Sequence, residues 1–343
     1  MVLSSRKWVR LETKNVEVMI PTQLLDATNI SDIAIAKDIL RRGGLVAVPT
    51  ETVYGLAANA MDPVAVQSIF AAKERPSDHP LIVHIAGADK LVDWAVDIPP
   101  VAYQLAARFW PGPLTILLHK APHVPKEVTA GLGTIGLRVP ANPVLLALLK
   151  ELGFGVAAPS ANPYKRLSPT CAAQVYAQMS GRIDAVLDGG DCEVGLESTI
   201  LDLTGPELRI LRAGPITATA IEQCTGLPVS QPAQHDIAVP GNVAEHYRPH
   251  TPLYLGTREQ MLEAIEANGE RVACLFYATA PHNLEAARIL IMPKDKAQFA
   301  QRLYRTLYSL DELGLEAIWL EFPPNGEQWR DVNDRLARAA ATP

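Results

Sequence analysis

The sequence has few cysteines and no long apolar run. Four cysteines occur among 343 residues, far apart and never as a C-x-x-C pair. Neither a zinc site nor a disulfide framework is therefore predicted, and buried free thiols are expected. The sequence contains no run of about 18 apolar residues, so no membrane span is predicted. The first twenty residues lack the continuous apolar segment of a signal peptide. We expect a cytoplasmic protein that makes no membrane contact.

Acidic residues outnumber basic ones, 37 to 31. The net charge is −6 at pH 7, which argues against a generic polyanion-binding surface and requires any phosphate site to gather cations locally. The P-loop motif G-x-x-x-x-G-K-[ST] is absent, which excludes that class of nucleotide site. The segment from Gly131 to Gly136 fits G-x-G-x-x-G, but an apolar strand pattern follows it where a dinucleotide-binding fold needs a helix.

Apolar periodicity predicts an α/β protein. Helical spacing from Asp32 to Leu40 is followed by the strand pattern LVAVP, and helix and strand patterns alternate from there. The length suggests two domains, and a Pro- and Gly-rich segment without periodicity separates them. The boundaries predicted are an N-terminal extension over 1–30, a first domain over 31–225, a linker or lid over 226–252 and a small α/β domain over 253–343.

Polar residues cluster where the predicted strands of the first domain end. Ligands of open α/β sheets collect at such ends, so these residues are candidates for binding. Arg138 stands within an otherwise apolar strand and must find an anion or a carboxylate, because a buried unpaired charge is costly. Lys73 and Arg75 could instead complement a helix dipole. Further polar residues at these ends are His79, His84, Ser160, Asn162, Ser198 and Arg212.

The stretch VPTETVYGLAANA, from Val48 to Ala60, raises a specific question. Three polar residues, Thr50, Glu51 and Thr52, interrupt two apolar runs. A strand that only filled a core would not need them. The insertion therefore needs a functional explanation, which the pattern alone does not give.

The order of several motifs resembles that of the YrdC-type threonylcarbamoyl-AMP synthases in their two-domain form. The motifs are PTETVYGLAANA, KERPSDHPLIVHI, FWPGPLTILL, GLRVPANP, APSAN with a later SPT, DGG with a later GLESTI, and LRAGPIT. The linker HYRPHTP with a following α/β unit fits the same family. The resemblance implies a YrdC-like open twisted mixed sheet with helices, plus a smaller Rossmann-like α/β domain at the C-terminus.

The same resemblance implies an enzyme that joins L-threonine, bicarbonate or CO2, and ATP into threonylcarbamoyl-adenylate with release of pyrophosphate. Other proteins then transfer the threonylcarbamoyl group to tRNA. Mg2+ would arrive with ATP, and no metal site of the protein itself is implied. The residues implied for catalysis are Lys73, Arg75 and Asn162; for threonine, Thr52, His84, Arg138, the backbone of Ala158, and Ser198; for ATP, Arg75, His79, Thr134, Ser160, Ser168, Arg212 and Tyr247.

Two other functions stay open at this point. The cations could serve the phosphates of double-stranded RNA or tRNA in a binding module, and weak RNA binding is compatible with either function. A carbamoyltransferase could use a related domain to make carbamoyl-adenylate, although no further catalytic domain is visible. For the linker, a lid over the nucleotide is favoured over a solvated tether, because long irregular segments often close over sites.

Overall fold

The computed structural model describes residues 21–232, 235, 237–241, 247–280 and 288–341. Most of the predicted N-terminal extension and part of the linker lie outside these residues. The four cysteines are free, and two of them, Cys192 and Cys274, are buried. No helix among the described residues is long and apolar enough to cross a membrane.

A large mixed sheet forms the first domain. Its strands lie in the order β1-β9-β2-β3-β8-β4-β7-β6-β10-β11-β12, and β5 pairs with β6 at one side. The strands are β1 Gln23–Asp26, β2 Val46–Val48, β3 Gly55–Asn59, β4 Ile82–His84, β5 Ala95–Val96, β6 Leu114–Lys120, β7 Thr134–Arg138, β8 Val156–Ala157, β9 Ala185–Asp188, β10 Thr199–Asp202, β11 Leu208–Arg212 and β12 Val229–Ser230.

Helices cover both faces of this sheet. They are α1 Ile30–Arg41, α2 Pro63–Lys73, α3 Pro100–Phe109, α4 Lys126–Thr129, α5 Pro143–Leu152, α6 Ala172–Met179 and α7 Ala218–Thr225. Asp62 caps α2, since it accepts hydrogen bonds from the amides of Val64 and Ala65. Successive strand residues face opposite sides: Ala47 packs in one core, while Val46 and Val48 pack in another.

The second domain is a four-stranded parallel sheet with helices, in the order β13-β16-β14-β15. Its elements are β13 Leu253–Gly256, α8 Arg258–Asn268, β14 Val272–Tyr277, β15 Arg288–Met292, α9 Lys296–Asp311, β16 Ala317–Glu321 and α10 Arg330–Ala339, with short 3-10 segments at Gly269–Arg271 and Glu327–Trp329. Another 3-10 segment, Ala88–Asp93, lies in the first domain. The expected pair of α/β domains, with a mixed and a parallel sheet, is therefore confirmed.

The two domains share a core. Val53, Leu167 and Leu196 of the first domain pack in one apolar cluster with side chains of α9 and α10. This arrangement places the last two helices between the small sheet and the large domain. The small domain is thus anchored by apolar burial, the dominant favourable term in such contacts.

The predicted boundary after residue 30 differs from the structure. Strand β1 pairs in parallel with β9, from Gln23 with Ala185 to Asp26 with Asp188, and α1 begins at Ile30. Residues 23–30 therefore belong to the large domain. Strand β1 was hard to predict, because it is a short edge strand with one buried residue, Leu25.

Candidate active site

One cavity brings together most of the side chains predicted from the sequence. It lies beside the ends of β4 and β7 and is closed on one side by the linker. The predicted residues that line it are Thr52, Lys73, Arg75, His84, Arg138, Ala158, Ser160, Asn162, Ser198, Arg212 and Tyr247. The clustering follows from topology, because β4 and β7 run parallel and place His84 directly beside Arg138.

The polar insertion after β2 builds the floor of this cavity. Thr50 holds the turn: its hydroxyl donates to the carbonyl of Val53 at 2.6 Å and accepts from the amide of Thr52 at 3.0 Å. Glu51 forms an ion pair with Arg138, with 2.6 Å between Oε1 and Nη2. Thr52 accepts a hydrogen bond from the same Nη2 at 3.0 Å. Each of the three polar residues therefore has a definite task.

Arg138 is buried, but not every nitrogen of its guanidinium has a partner among the described residues. Its Nε donates to the carbonyl of Gly112 at 3.3 Å, and Nη2 contacts Thr52 and Glu51. Nη1 has no partner among the described residues, which leaves one edge of the guanidinium for a ligand. The expectation that this arginine needs a carboxylate is met by Glu51, a partner that the sequence analysis did not identify.

His84 is a buried and neutral member of the floor. Burial, together with the positive charge of Arg138, lowers the pKa of its imidazole well below the ordinary value. Both ring nitrogens are buried without a hydrogen-bond partner among the described residues. Because unsatisfied buried polar atoms are uncommon, these nitrogens point to a ligand.

Two cations, one at the end of α2 and one just after it, form another wall. Lys73 donates to the carbonyls of Ser160 and Asn162, each at 2.5 Å. Burial and then the charge of Arg75 lower the pKa of Lys73 well below its ordinary value. Burial also lowers the pKa of Arg75 to about 10. Its Nη2 donates to the carbonyl of Pro80, while its buried Nε has no partner among the described residues.

The loop after β8 carries backbone and amide groups to the same wall. The amide of Ala158 is already used, because it donates to the carbonyl of Ile82 at 3.2 Å. Its carbonyl is then the backbone group that could meet a ligand. Asn162 donates through Nδ2 to two carbonyls, whereas its buried Oδ1 has no partner among the described residues.

Ser198 and Arg212 occupy the side of the cavity next to β6. The hydroxyl of Ser198 lies 2.8 Å from that of Thr115 and accepts from Nη2 of Arg212 at 3.0 Å. Arg212 also donates to the carbonyls of Ser198 and Pro240. It therefore connects the floor to the linker.

The linker covers the cavity in this conformation. Pro240, Gly241 and Tyr247 line it. Tyr247 is buried and has a φ of 62°, an uncommon backbone conformation for a residue with a side chain. The remaining volume is about 60 Å³, far below the roughly 300 Å³ of small ligand pockets. The predicted linker residues 242–246 lie outside the described residues.

Three predicted ATP residues do not line the cavity. Thr134 begins β7 and pairs with His119, and four residues of strand, about 13 Å, separate it from Arg138. Thr134 therefore lies away from Arg138, and its contact with ATP stays a prediction. His79 contacts Tyr164, a wall residue, with 3.4 Å between Nε2 and the hydroxyl. Ser168 donates to Glu197 at 2.7 Å.

Sequence reasoning missed several site residues. Glu51 and Glu197 stand inside motifs that were recognised, and a carboxylate next to a predicted ligand residue was the available signal. Tyr164 lines the wall and lies close to Arg75, whose positive charge opposes the effect of burial on the pKa of the phenol. The small domain adds Tyr304 and Arg335, which contact Glu197. No local pattern indicated these two.

The arrangement suits two anionic ligand groups. A neutral imidazole, a hydroxyl and an open guanidinium edge lie on one side, which fits a small amino acid with its carboxylate on Arg138. Lys73 and Arg75 lie on the other, which fits phosphates. No group of three or more His, Cys, Asp or Glu residues within the described ranges could hold a metal ion.

Comparison with known proteins agrees with this geometry. A family model described as "Telomere recombination" matches residues 38–214, and one described as "Threonylcarbamoyl-AMP synthase, C-terminal domain" matches residues 216–341. The chain is 38% identical over 322 residues to a Pyrococcus abyssi protein named threonylcarbamoyl-AMP synthase, covering 90% of this chain and 94% of that one. It is 39% identical over 329 residues to the Bacillus subtilis protein of the same name, covering 92% and 94%.

A solved structure extends the likeness to three dimensions. The crystal structure of P. abyssi Sua5 complexed with L-threonine superposes with a TM-score of 0.85 at 34% sequence identity, covering 93% of this chain and 98% of that chain. Both domains therefore have counterparts in the same relatives. The resemblance read from the motifs is confirmed, and the chain belongs to the threonylcarbamoyl-AMP synthase family.

Proposed function

We propose that this protein makes L-threonylcarbamoyl-adenylate from L-threonine, bicarbonate or CO2, and ATP, and so acts as a nucleotidyltransferase. The observation that carries the proposal is the pair of unlike walls in one cavity. Arg138, Thr52 and His84 form an amino-acid side, and Lys73 with Arg75 forms a phosphate side. The relatives named threonylcarbamoyl-AMP synthase support the same activity.

L-Threonine would lie on the floor. The open Nη1 edge of Arg138 would take the carboxylate, a planar match that a guanidinium makes well. The two unpartnered nitrogens of His84 and the hydroxyls of Thr52 and Ser198 offer hydrogen bonds for the amino and hydroxyl groups. The carbonyl of Ala158 is a further acceptor.

ATP would lie against the cationic wall. Lys73 and Arg75 neutralise phosphate charge, and Ser160, Arg212 and Tyr247 line the rest of that space. His79 and Ser168 would act from behind the wall, through Tyr164 and Glu197. Because Lys73 and Arg75 are both buried, their attraction to phosphate is screened less than at a surface.

The chemistry needs orientation and charge neutralisation more than a protein nucleophile. The amine of threonine loses a proton and bonds to the carbon of CO2. A carbamate oxygen then bonds to the α-phosphorus, the bond from that phosphorus to the bridging oxygen breaks, and pyrophosphate leaves. Lys73 and Arg75 would hold the phosphates in line during this transfer, and Asn162 would act through its open Oδ1 on the Mg2+ ion that accompanies ATP.

We also propose that Mg2+ enters with the triphosphate. The donor set fits an ion carried mainly by phosphate, because no group of three or more His, Cys, Asp or Glu residues within the described ranges could hold a metal ion by itself. The unpartnered Oδ1 of Asn162 is an oxygen that could complete its coordination. When bound, the ion would neutralise phosphate charge.

The product implies further partners. A carboxylic-phosphoric anhydride is reactive, so proteins that transfer the threonylcarbamoyl group to tRNA would have to take it over, in the cytoplasm where ATP and tRNA occur. Weak RNA contact remains compatible with this role. The double-stranded RNA module and the carbamoyltransferase are less well supported, because the relatives that cover most of the chain carry the synthase name.

Pyrophosphate release tests the proposal. Purified protein with ATP and Mg2+ should release pyrophosphate only when both L-threonine and bicarbonate are present. RNA binding without such turnover would favour the binding module, and carbamoyl phosphate replacing threonine and bicarbonate would favour the carbamoyltransferase. Lys73→Met should abolish release, whereas Lys126→Met, on the small helix α4, should not.

A further inference from the structure

A buried polar cluster joins the small domain to the cavity. It consists of Glu197 and Tyr247, which line the cavity, and of Tyr304 on α9 and Arg335 on α10. We call it the Glu197 cluster. All four side chains are buried, with Arg335 and Tyr304 each 1% exposed. A buried ion pair such as Glu197 with Arg335 is not explained by stability alone, because good geometry at best compensates for the free energy that burying the ions costs.

Arg335 uses both its edges and its face. Its Nε donates to Oε2 of Glu197 at 2.8 Å, Nη1 contacts Asp334 at 2.8 Å, and Nη2 donates to the carbonyl of Ala213 at 3.0 Å. The guanidinium carbon lies 5.3 Å from the ring centre of Tyr247, within the range of a cation–π contact. One side chain of the small domain thus contacts two carboxylates, a carbonyl and the linker tyrosine.

Tyr304 makes a second connection of the same kind. Its hydroxyl donates to Oε2 of Glu197 at 3.2 Å. Its ring stacks on that of Tyr247, with centroids 5.8 Å apart and 25° between the planes. Tyr247 is therefore held between two side chains of the small domain.

Glu197 receives partners from both domains. Ser168 of the large domain donates to Oε1, while Oε2 accepts from Tyr304 and Arg335. Burial is the largest single influence and raises the pKa of this carboxyl, but the charges of Arg335 and Arg212, together with the hydrogen bonds from Arg335 and Ser168, lower it on balance. The next residue is Ser198, whose hydroxyl and carbonyl bind Arg212.

We propose that Arg335 and Tyr304 are positioning residues for adenylate synthesis, through which the small domain holds Glu197 and Tyr247 at the cavity. This inference rests on the proposed function and gives the small domain a task in it. The geometry favours positioning over contact with substrate, since neither Arg335 nor Tyr304 lines the cavity. The nucleotide side of the pocket would then be complete only when the two domains are docked.

Arg335→Lys tests the inference while keeping the charge. A lysine cannot make the three hydrogen bonds of the guanidinium fork or offer a planar face to Tyr247. We expect kcat/KM for ATP to fall about tenfold or more, with KM for ATP affected more than KM for threonine. Tyr304→Phe keeps the ring stacked on Tyr247 and removes only the hydroxyl, so a smaller loss is expected.

Chymotrypsin gives a second readout that needs no turnover. It cleaves after tyrosine, and the bond from Tyr247 to Arg248 is protected while Tyr247 is buried. In the absence of ligands, Arg335→Lys should speed cleavage at this bond several-fold, with the fragments identified by mass. The matched control is Arg305→Lys, because Arg305 also joins α9 to the large domain, through an exposed ion pair with Asp191.

The outcomes separate the two proposals. An Arg335→Lys protein with the kinetic constants and the cleavage rate of Arg305→Lys would overturn this inference. Wild-type protein that makes no adenylate would overturn the proposed function, whereas the cleavage rates would still decide whether Arg335 holds Tyr247. If Arg335→Lys does not fold, Tyr304→Phe decides: unchanged KM for ATP and unchanged cleavage would contradict the inference.

Discussion

Arg138 and Glu51 form an ion pair inside the cavity, with 2.6 Å between Nη2 and Oε1 and with only 5% of each side chain exposed. The pair comes from two separate motifs, the turn after β2 and the end of β7. It keeps a buried arginine neutralised in the absence of ligand and leaves its Nη1 edge facing the cavity. A carboxylate ligand can then be added to a guanidinium that is already oriented.

Arg138→Lys should weaken L-threonine much more than ATP. Lysine keeps the charge but cannot pair with Glu51 and a ligand carboxylate through two edges, so a loss of about 1.5–3 kcal/mol is expected for threonine. Binding of each ligand by calorimetry measures this, with Arg271→Lys, at an exposed ion pair with Glu316, as the control. Equal losses for both ligands would assign Arg138 to phosphate or to folding.

Selectivity should depend on the side-chain hydroxyl of the amino acid. If Thr52 or Ser198 hydrogen-bonds that hydroxyl, valine leaves buried polar groups unpaired, and discrimination of about 10⁴ is reachable. Serine lacks only a methyl group and should be rejected less. Pyrophosphate release with each amino acid gives the ratio of kcat/KM. Valine turning over better than serine would contradict this assignment of the floor.

His84 should make stability depend on pH in the acidic range. Burial lowers its pKa in the folded protein below the ordinary 6.5, so the unfolded chain binds a proton that the folded protein excludes. The stability due to neutral His84 is complete above about pH 6.5 and is lost as the pH falls. The free energy of unfolding, measured with urea, should fall less steeply below that pH in the His84→Asn protein than in wild type.

The control for this prediction is His123→Gln, because His123 is exposed at the surface. It should keep the wild-type slope. A His84→Asn protein with the same slope as wild type below pH 6.5 would mean that His84 is not held neutral in the folded state.

Gly241→Ala should displace Tyr247. A Cβ at position 241 would lie 2.3 Å from the Tyr247 hydroxyl, and the φ of 84° also disfavours a side chain there. We expect faster chymotrypsin cleavage after Tyr247 and a kcat reduced about tenfold or more, since the site would admit water. Gly205→Ala, with no atom near its Cβ and an ordinary φ, is the control. Unchanged cleavage and turnover in Gly241→Ala would reduce the linker to a tether.

Much of the fold could be predicted because its signals are local. Asp62 followed by Pro63 is a local signal for the start of a helix, and the carboxylate of Asp62 caps α2. The strand ends that carry Arg138 and His84 were readable for the same reason. No helix was predicted at α10, although Val332, Leu336 and Ala339 recur there at helical spacing and are buried; its many charges are also typical of a solvated helix.

The rest of the site depends on contacts between distant parts of the chain. Glu197 and Arg335 are 138 residues apart, and nothing near either one identifies the other. Thr134 shows another such case: motif order assigns it to ATP, but it stands at the start of β7 and does not line the cavity. Only the register of the sheet shows which residues of a strand lie at the cavity.

The most direct test of the account is the mass of the product formed from ATP, L-threonine and 13C-labelled bicarbonate in the presence of Mg2+. We predict an adenylate that contains threonine and one labelled carbon, formed together with pyrophosphate, and its loss when either threonine or bicarbonate is left out. Pyrophosphate release that is indifferent to threonine, or an adenylate without the labelled carbon, would contradict it.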